Sequence, residues 1–235
     1  MSTNEKWIRE SIHISKMGKP KILCVHGFIG SPFDFKPLID LLEDRFDIFI
    51  PKLELPRGDG KNTYLQVENH FQKYQPEVVI GFSMGGAITM QLPSCPKVII
   101  APYQGLPYGN KLLSNIASSL GFLNPKIPKL QSGRIKSKSG RKKYKPGKWS
   151  FSTSSFIALQ NLVNRSHYTE ISHPLLWIHS PKDPVACYKK AQKRWEEKSQ
   201  HLIVANAEHV LLYEEEIGLI SREITRFLIK SIGSS

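Results

Sequence analysis

Short apolar runs that alternate with longer amphipathic stretches constrain the fold of this chain more than any other feature of its sequence. The run Ile22–Val25 is continuously apolar, which is typical of a strand buried on both faces. Comparable runs, most of them followed by a helical pattern, recur at 46–50, 77–82, 98–101, 175–179 and 202–204. Strands that alternate with helices are the pattern of βαβ units. We therefore predict an α/β fold in which helices flank a mostly parallel sheet.

The N-terminal part of the chain leaves one alternative open. Residues Trp7–Ile14 alternate between apolar and polar side chains, so they also fit a strand. Such a strand would precede Ile22–Val25 in the sequence and would pair with it as an antiparallel hairpin.

The strand and helix alternation stops at Pro102 and resumes at about residue 156. Residues 103–152 between them hold Gly, Pro, Ser and Lys in excess. A stretch of that length without a sheet pattern is typical of a functional insertion such as a lid, or of a disordered segment. With 235 residues the chain is long enough for one domain of ordinary size. We expect one domain whose core has two parts, 1–102 and 153–235, with a basic lid or cap inserted at 103–152.

The positive charge of the chain is confined to its middle. The net charge is +13, and residues 78–169 carry 13 Lys and Arg with no Asp or Glu. The flanking segments 1–77 and 170–235 are each balanced. Ten of the 13 cations lie in 126–148, inside the insertion. A surplus in one segment indicates one basic face or loop, which either meets an anionic partner or is simply solvated.

Composition excludes several kinds of protein. No run of eighteen apolar residues is present, so we predict no membrane-spanning helix. The first residues lack the basic-then-apolar pattern of a secretory signal. The three cysteines, Cys24, Cys95 and Cys187, are odd in number and lack the spacing of metal ligands, so neither a disulfide scaffold nor a zinc site organises the fold. Reduced thiols fit a cytoplasmic protein, which is the expected location.

The pentapeptide Gly81-Phe82-Ser83-Met84-Gly85 is the strongest chemical motif in the chain. A nucleophile on a strained strand-to-helix turn needs small neighbours on both sides, which the G-x-S-x-G pattern supplies. A motif with only three fixed residues also occurs by chance, so its sequence context is needed to interpret it. A strand pattern precedes the motif and a helical pattern follows it. We predict that Ser83 is a nucleophile; the alternative is a glycine-rich turn with an incidental serine.

A serine hydroxyl needs a general base, and the base needs an acid that orients it. In α/β folds that carry a serine on such a turn, the triad residues follow one another along the chain in the order serine, acid, histidine. Asp183 follows the predicted strand at 175–179, and His209 follows the strand that ends at Val204. Both therefore lie beyond the carboxyl ends of strands, where open α/β sheets place their sites. We predict a catalytic triad of Ser83, His209 and Asp183.

Four other histidines lie downstream of the serine. Three of them precede or lie within predicted strands, where a histidine is usually a packed or surface residue. None of the four is interpreted as the base: His167, His173, His179 and His201.

The developing oxyanion requires backbone donors close to the nucleophile. In this architecture the N–H of the residue after the nucleophile, Met84, is paired with an N–H from the loop after an early strand. His26-Gly27-Phe28 follows the first buried strand, so Phe28 is the expected second donor. We interpret His26 as a structural neighbour of the site and not as a base.

Four ordered motifs together resemble the α/β-hydrolase superfamily, and within it the small bacterial carboxylesterases and monoacylglycerol lipases. The motifs are His26-Gly27-Phe28-Ile29-Gly30-Ser31, Gly81-Phe82-Ser83-Met84-Gly85-Gly86, Asp183-Pro184-Val185 and Glu208-His209-Val210. The resemblance implies the α/β-hydrolase fold, with a lid after the strand that follows the nucleophile helix. It also implies the same triad and the same oxyanion donors that the residues themselves predict.

Two classes of function remain. The first is a cofactor-free and metal-free serine esterase that forms an acyl-enzyme, with peptidase, thioesterase and carbon–carbon hydrolase chemistry left open by the same triad. The second is an anion- or membrane-binding module on a hydrolase fold. If the chain is an enzyme, the basic insertion fits an acidic acyl carrier protein, as in enzymes that resemble pimeloyl-carrier-protein methyl esterases, or an anionic lipid surface. Nucleic acid is not the expected partner, because 126–148 holds one aromatic residue, Tyr144.

Overall fold

The structure is a computed structural model, and it describes residues 3–106, 124–128, 134–165, 171 and 173–233. A sheet of seven strands forms the centre of the described part. The strands of the chain are, in order, β1 (Ile12–Ile14), β2 (Lys21–Val25), β3 (Asp47–Ile50), β4 (Val78–Phe82), β5 (Lys97–Ile100), β6 (Lys126–Pro128), β7 (Ser150–Ser152), β8 (Leu175–His179) and β9 (Gln200–Ile203).

The sheet has the order β1-β3-β2-β4-β5-β8-β9. All neighbouring pairs are parallel except β1 and β3, which are antiparallel. Strands β6 and β7 form a separate antiparallel pair, with Lys126 opposite Ser152. The prediction of an α/β fold with a mostly parallel sheet is therefore confirmed.

Helices cover both faces of the sheet. They are α1 (Thr3–Arg9), α2 (Lys36–Leu42), α3 (Lys61–Tyr74), α4 (Met84–Thr89), α5 (Lys138–Lys143), α6 (Thr153–Arg165), α7 (Tyr188–Trp195) and α8 (Ile217–Ile232). Single turns of 3₁₀ helix occur at Pro32–Phe35, Glu196–Lys198 and Leu211–Tyr213. Among the described helices, none is long and apolar enough to cross a membrane.

The alternation of side chains along β2 shows how the two faces are filled. Ile22 and Cys24 pack with residues of α1, α2 and α8 on one face. Leu23 and Val25 pack with residues of α3, α4 and α6 on the other. Successive strand residues point to opposite faces, so a strand with helices on both sides must be apolar throughout. This is the physical reason for the continuous apolar runs in the sequence.

The alternative prediction, that Trp7–Ile14 is a strand paired with Ile22–Val25, is wrong. Residues Thr3–Arg9 form α1, and only Ile12–Ile14 form a strand, which pairs with β3 and not with β2. The position beside β2 is already taken, because β3 and β4 pair with its two edges. Trp7 packs into the core instead, with the Lys36 ammonium 5.3 Å from its ring centroid. An apolar stretch this short fits a helix as well as a strand.

The insertion predicted at 103–152 is described only in part, because residues 107–123 and 129–133 lie outside the described residues. The lid therefore stays a prediction. The described stretch 134–152 is packed against the core: Lys148 N–H donates to the carbonyl of Ile29 (3.0 Å), and Gly140 lies against the carbonyl of Tyr213. A Cβ on Gly140 would lie 1.9 Å from that oxygen, so the contact requires glycine.

Candidate active site

The turn between β4 and α4 holds Ser83 in a strained backbone conformation. Its φ of 55° and ψ of −116° lie in a region that L-residues rarely adopt. The close packing of this turn explains its glycines. A Cβ on Gly81 would lie 2.5 Å from the carbonyl oxygen of Gly85, and a Cβ on Gly85 would lie 1.8 Å from that of Val25. The G-x-S-x-G spacing is therefore a requirement of this backbone geometry.

The structure brings the side chains of Ser83, His209 and Asp183 together. The Ser83 hydroxyl lies 3.0 Å from His209 Nε2, and His209 Nδ1 lies 2.7 Å from Asp183 Oδ2. All three residues are buried. Because a carboxylate only accepts, Nδ1 carries the proton and donates it to Asp183, which leaves Nε2 free to accept from the serine. The arrangement can move a proton from the hydroxyl to the imidazole.

Asp183 accepts hydrogen bonds at both of its oxygens. The N–H groups of Val185 and Ala186 donate to Oδ1, at 2.7 and 2.8 Å, and two histidine rings lie against Oδ2. Burial by itself raises the pKa of this carboxyl, but the electrostatic attraction and hydrogen bonds of the His209 and His179 rings outweigh burial and lower the pKa well below its usual value. Asp183 is thus held as a carboxylate.

The second ring on Asp183 belongs to His179, the last residue of β8. Its Nε2 lies 3.1 Å from Asp183 Oδ2, and its ring is fully buried. The interpretation of His179 as a packed residue is incomplete, because the ring also binds the acid of the triad. The spacing of four residues between His179 and Asp183, across the end of a strand, is the only sequence signal for this contact.

The N–H groups of Phe28 and Met84 are the predicted oxyanion donors. Phe28 follows β2 and Met84 begins α4, on loops that meet at Ser83. Within the described residues neither N–H has a hydrogen-bond acceptor, whereas the N–H of Ser83 donates to the carbonyl of Ile100. The Cβ position of Gly27 lies 3.2 Å from Ser83 Cβ, so glycine lets this loop approach the nucleophile.

A cavity of about 240 Å³ opens at Ser83 and His209. Its walls are mostly apolar, with contributions from Phe28, Leu106, Phe156, Leu159 and Val185. The predicted insertion supplies part of the wall, namely Ile127, Pro128, Arg134, Tyr144 and Phe151. The Phe28 and Phe151 rings meet edge to face at 5.2 Å, which joins the expected oxyanion loop to β7. The cavity can take a short apolar chain beside the serine.

Glu214 joins the insertion to the loop that carries His209. The sequence alone does not predict this contact. Its carboxylate accepts from the N–H groups of Lys136 (2.6 Å), Ser137 (2.8 Å) and Glu208 (3.1 Å). The side chain is buried, and hydrogen bonds to a charged acceptor are stronger than neutral ones. The stretch that follows Arg134 is therefore fixed relative to His209.

His26 has both ring nitrogens engaged by the backbone. Nδ1 donates to the carbonyl of Gly27 (2.9 Å), and Nε2 accepts from the N–H of Leu53 (3.0 Å). The ring is buried, as expected of a structural neighbour of the site. Burial is the main reason why the pKa of His26 is lowered to about 3, and the nearby cations Lys52 and Lys148 contribute to that lowering.

Because the pKa of His26 is lower in the folded chain than in the unfolded one, acid should destabilise the protein. The unfolded chain takes up a proton below a pH of about 6.5, and the folded chain does so only near pH 3. The stabilisation is fully present above about pH 6.5 and is lost as the pH falls toward 3. Between pH 7.5 and 5.0 the free energy of unfolding should drop by about 2 kcal/mol through this residue.

Urea unfolding of wild type and His26→Gln at both pH values measures this loss. Other groups titrate alike in the two proteins, so the wild type should lose about 2 kcal/mol more than the variant. Equal losses in the two proteins would show that His26 does not carry the acid sensitivity.

Comparison with known sequences identifies the family of the chain. Residues 22–218 match the sequence profile of a family described as the alpha/beta hydrolase family. The uncharacterized hydrolase YugF of Bacillus subtilis (strain 168) is 31% identical over 91 residues. That match covers 33% of this chain and 33% of the relative, so the chain spans about a third of the length of the curated relative it matches.

Solved structures show the same fold. A soluble variant of monoglyceride lipase from Saccharomyces cerevisiae superposes with a TM-score of 0.75 and 16% identity, over 92% of this chain and 88% of the lipase. A monoacylglycerol lipase from Paleococcus ferrophilus gives a TM-score of 0.78 and 16% identity, over 94% of this chain and 99% of the lipase. At such identities the likeness concerns the fold alone.

Proposed function

The chain belongs to the alpha/beta hydrolase family, and we propose that it is a serine carboxylic-ester hydrolase that acts through a Ser83-His209-Asp183 triad. The predicted resemblance to this family is confirmed by the profile match. The observation that carries the proposed activity is the continuous line of hydrogen bonds from the serine hydroxyl through the imidazole to the carboxylate. The apolar cavity beside Ser83 supports an ester substrate, and so do the two lipase structures that share the fold.

In the proposed mechanism the ester carbonyl lies at the mouth of the cavity beside Ser83. His209 Nε2 takes the hydroxyl proton as the oxygen attacks, and the N–H groups of Phe28 and Met84 stabilise the oxyanion that forms. The imidazolium then gives the proton to the leaving alcohol, and an acyl-enzyme remains. Water, activated by the same ring, releases the acid. Asp183 stays ionised throughout and stabilises the imidazolium.

Hydrolysis of short-chain 4-nitrophenyl esters by the wild-type protein tests the activity. A fluorophosphonate reagent, which phosphorylates activated serines, tests the nucleophile. We expect one reagent molecule per chain, located on Ser83 by peptide mapping, with loss of ester hydrolysis in parallel. A protein that neither hydrolyses the esters nor reacts with the reagent would instead support a binding module on a hydrolase fold.

A second candidate is an esterase for an acyl chain carried by an acidic acyl carrier protein. One observation favours it: a basic concavity next to the cavity, into which Tyr144 also projects. Its described lining holds no carboxylate, and Trp149 beside it is 66% exposed. The lining carries five cations, Arg9, Lys52, Lys142, Lys145 and Lys148. Such a surface attracts an acidic protein or an anionic lipid surface and adds little to the chemical step.

Replacement of the exposed cations Arg141, Lys142, Lys143 and Lys145 by glutamine is expected to separate the partner from the chemistry. Catalysis on a small neutral ester should stay nearly unchanged, because none of these side chains lines the cavity. On an acyl chain carried by acyl carrier protein, kcat/KM should fall by about tenfold or more, and salt should reproduce the loss because it screens charges beyond about 10 Å at 0.1 M.

A matched control removes four exposed cations elsewhere, Lys189, Lys193, Lys198 and Lys230. Steady-state kinetics with both substrates, at low and moderate ionic strength, provide the measurement. If charge removal and salt affect the two substrates alike, the basic segment is a solvated surface without a partner.

A further inference from the structure

Arg134 places a positive charge in the wall of a mostly apolar catalytic cavity. Within the described part of the chain, the charged or ionisable side chains that line this cavity are Asp34, Tyr103, Arg134, Tyr144 and His209. The Tyr103 hydroxyl accepts a hydrogen bond from the Gln160 amide. His209 is bonded to Asp183 and Ser83, and the Tyr144 hydroxyl donates to Asp34 (3.1 Å). The Arg134 guanidinium has no hydrogen-bond or ion-pair partner among the described residues.

The backbone of Arg134 is fixed close to the catalytic base. Its carbonyl accepts from the N–H of Val210 (2.9 Å), the residue after His209. The next residue, Ile135, is buried in the core, and Glu214 holds the N–H groups of the two residues that follow. The guanidinium is therefore presented from a rigid position and not from a loose surface loop.

Burial lowers the pKa of Arg134, while the negative charge of Asp183 and the neighbouring Tyr144 oppose the shift. An arginine stays protonated even so. Asp183 does not neutralise it by contact, because that carboxylate already has four hydrogen-bond partners. A charge that is mostly removed from water and has no partner among the described residues is costly, and a ligand that supplies an acceptor would offset that cost.

An ester with purely hydrocarbon ends offers no acceptor to a guanidinium in the cavity wall. A carboxylate or a phosphate group does offer acceptors, because the planar fork of arginine donates two parallel hydrogen bonds to either anion. The remaining wall is mostly apolar, and the carboxylate in it, Asp34, accepts a hydrogen bond from the Tyr144 hydroxyl. The cavity as a whole therefore fits a short chain that ends in an anion beside Arg134.

We propose that Arg134 is a specificity-determining residue that binds an anionic group, a carboxylate or a phosphate, on the ester held in the catalytic cavity. This inference rests on the proposed esterase function and adds the chemical class of its substrate. It concerns a group within the bound substrate and is independent of any partner at the basic concavity.

Three 4-nitrophenyl esters of similar length test the proposal: the neutral hexanoate, the half ester of adipic acid, and the 5-phosphonopentanoate. We expect the wild type to prefer at least one anionic ester over the hexanoate by about ten- to hundredfold in kcat/KM, mainly through KM. Arg134→Gln should abolish that preference, so that kcat/KM on the anionic esters falls to about the level on the hexanoate. Arg134→Lys should restore part of it, since a point charge lacks the fork.

The relative rates of the two anionic esters show which anion the site accepts. Lys136→Gln is the matched control, because Lys136 is an exposed cation two residues away that does not line the cavity. An equal effect of Arg134→Gln on neutral and anionic esters, or no effect on either, would overturn the proposal.

Equilibrium binding separates this proposal from the proposed function. Calorimetric titration of two amides, the neutral hexanamide and the monoamide of adipic acid, into wild type and Arg134→Gln does not require turnover. We expect the anionic monoamide to bind the wild type about tenfold more tightly than hexanamide, and the variant to lose the difference. Absence of ester hydrolysis with this binding pattern intact would refute the esterase alone. Equal binding of both amides by the wild type would refute the role of Arg134 alone.

Discussion

Replacement of Ser83 by alanine is expected to lower kcat/KM on short-chain esters by about a millionfold, close to the loss of all nucleophilic catalysis. The variant has no hydroxyl to attack the ester or to donate to His209. A small residual rate should remain, because the N–H groups of Phe28 and Met84 still polarise a bound carbonyl. Stopped assays with long incubation measure it.

The fold of the Ser83→Ala variant should be retained. Alanine carries the same Cβ as serine, so the strained φ of 55° is neither relieved nor made worse. Ser221→Ala, which removes a buried hydroxyl on α8 far along the chain, is the control and should keep near-wild-type activity. Substantial hydrolysis by purified Ser83→Ala would show that another group is the nucleophile.

Replacement of Asp183 by asparagine is expected to lower kcat by about 10⁴ while the protein stays folded. The hydrogen bonds at Asp183 determine how the new amide must sit. Since the N–H groups of Val185 and Ala186 donate to Oδ1, the amide oxygen has to occupy that position. The amide NH₂ then replaces Oδ2 and faces the rings of His209 and His179.

An NH₂ group donates, so His209 Nδ1 would have to become the acceptor and its proton would move to Nε2. In that tautomer Nε2 cannot take the proton of Ser83, and the base is lost although every heavy atom keeps its place. Steady-state kinetics, with circular dichroism as a check of the fold, provide the measurement. Asp59→Asn, a change at an exposed acid outside the site, is the matched control. Near-full activity of Asp183→Asn would show that the acid is misassigned.

Local patterns were sufficient to predict the architecture and the three polar side chains that meet at the site. The strand patterns depend on burial of both sheet faces, which imposes apolar side chains at Ile22–Val25 of β2 and at residues 78–80 of β4. Ser83 was found because its glycines are required by the tight turn, a constraint within five residues. Asp183 and His209 were found because parallel strands end at a common edge.

Contacts that depend on the packing of distant segments could not be predicted. Glu214 lies in a run of three glutamates, and nothing in that run distinguishes the one whose carboxylate binds the insertion. Arg134 is one of ten cations in the basic segment 126–148. Only the structure shows that it lies in the cavity wall, whereas the other described cations of the segment are exposed. The short strand Ile12–Ile14 was misjudged because its partner is decided by which sheet edge is free.

The carboxylate of Glu214 has a consequence for the way this protein loses activity. It ties the wall of the cavity to the loop of His209, and Lys148 ties the same stretch to the loop of Phe28. Detachment of this stretch by heat or denaturant would release both the base and the oxyanion donor at once. Inactivation should therefore be a single cooperative event that precedes global unfolding, with no intermediate in which an intact catalytic centre faces open solvent.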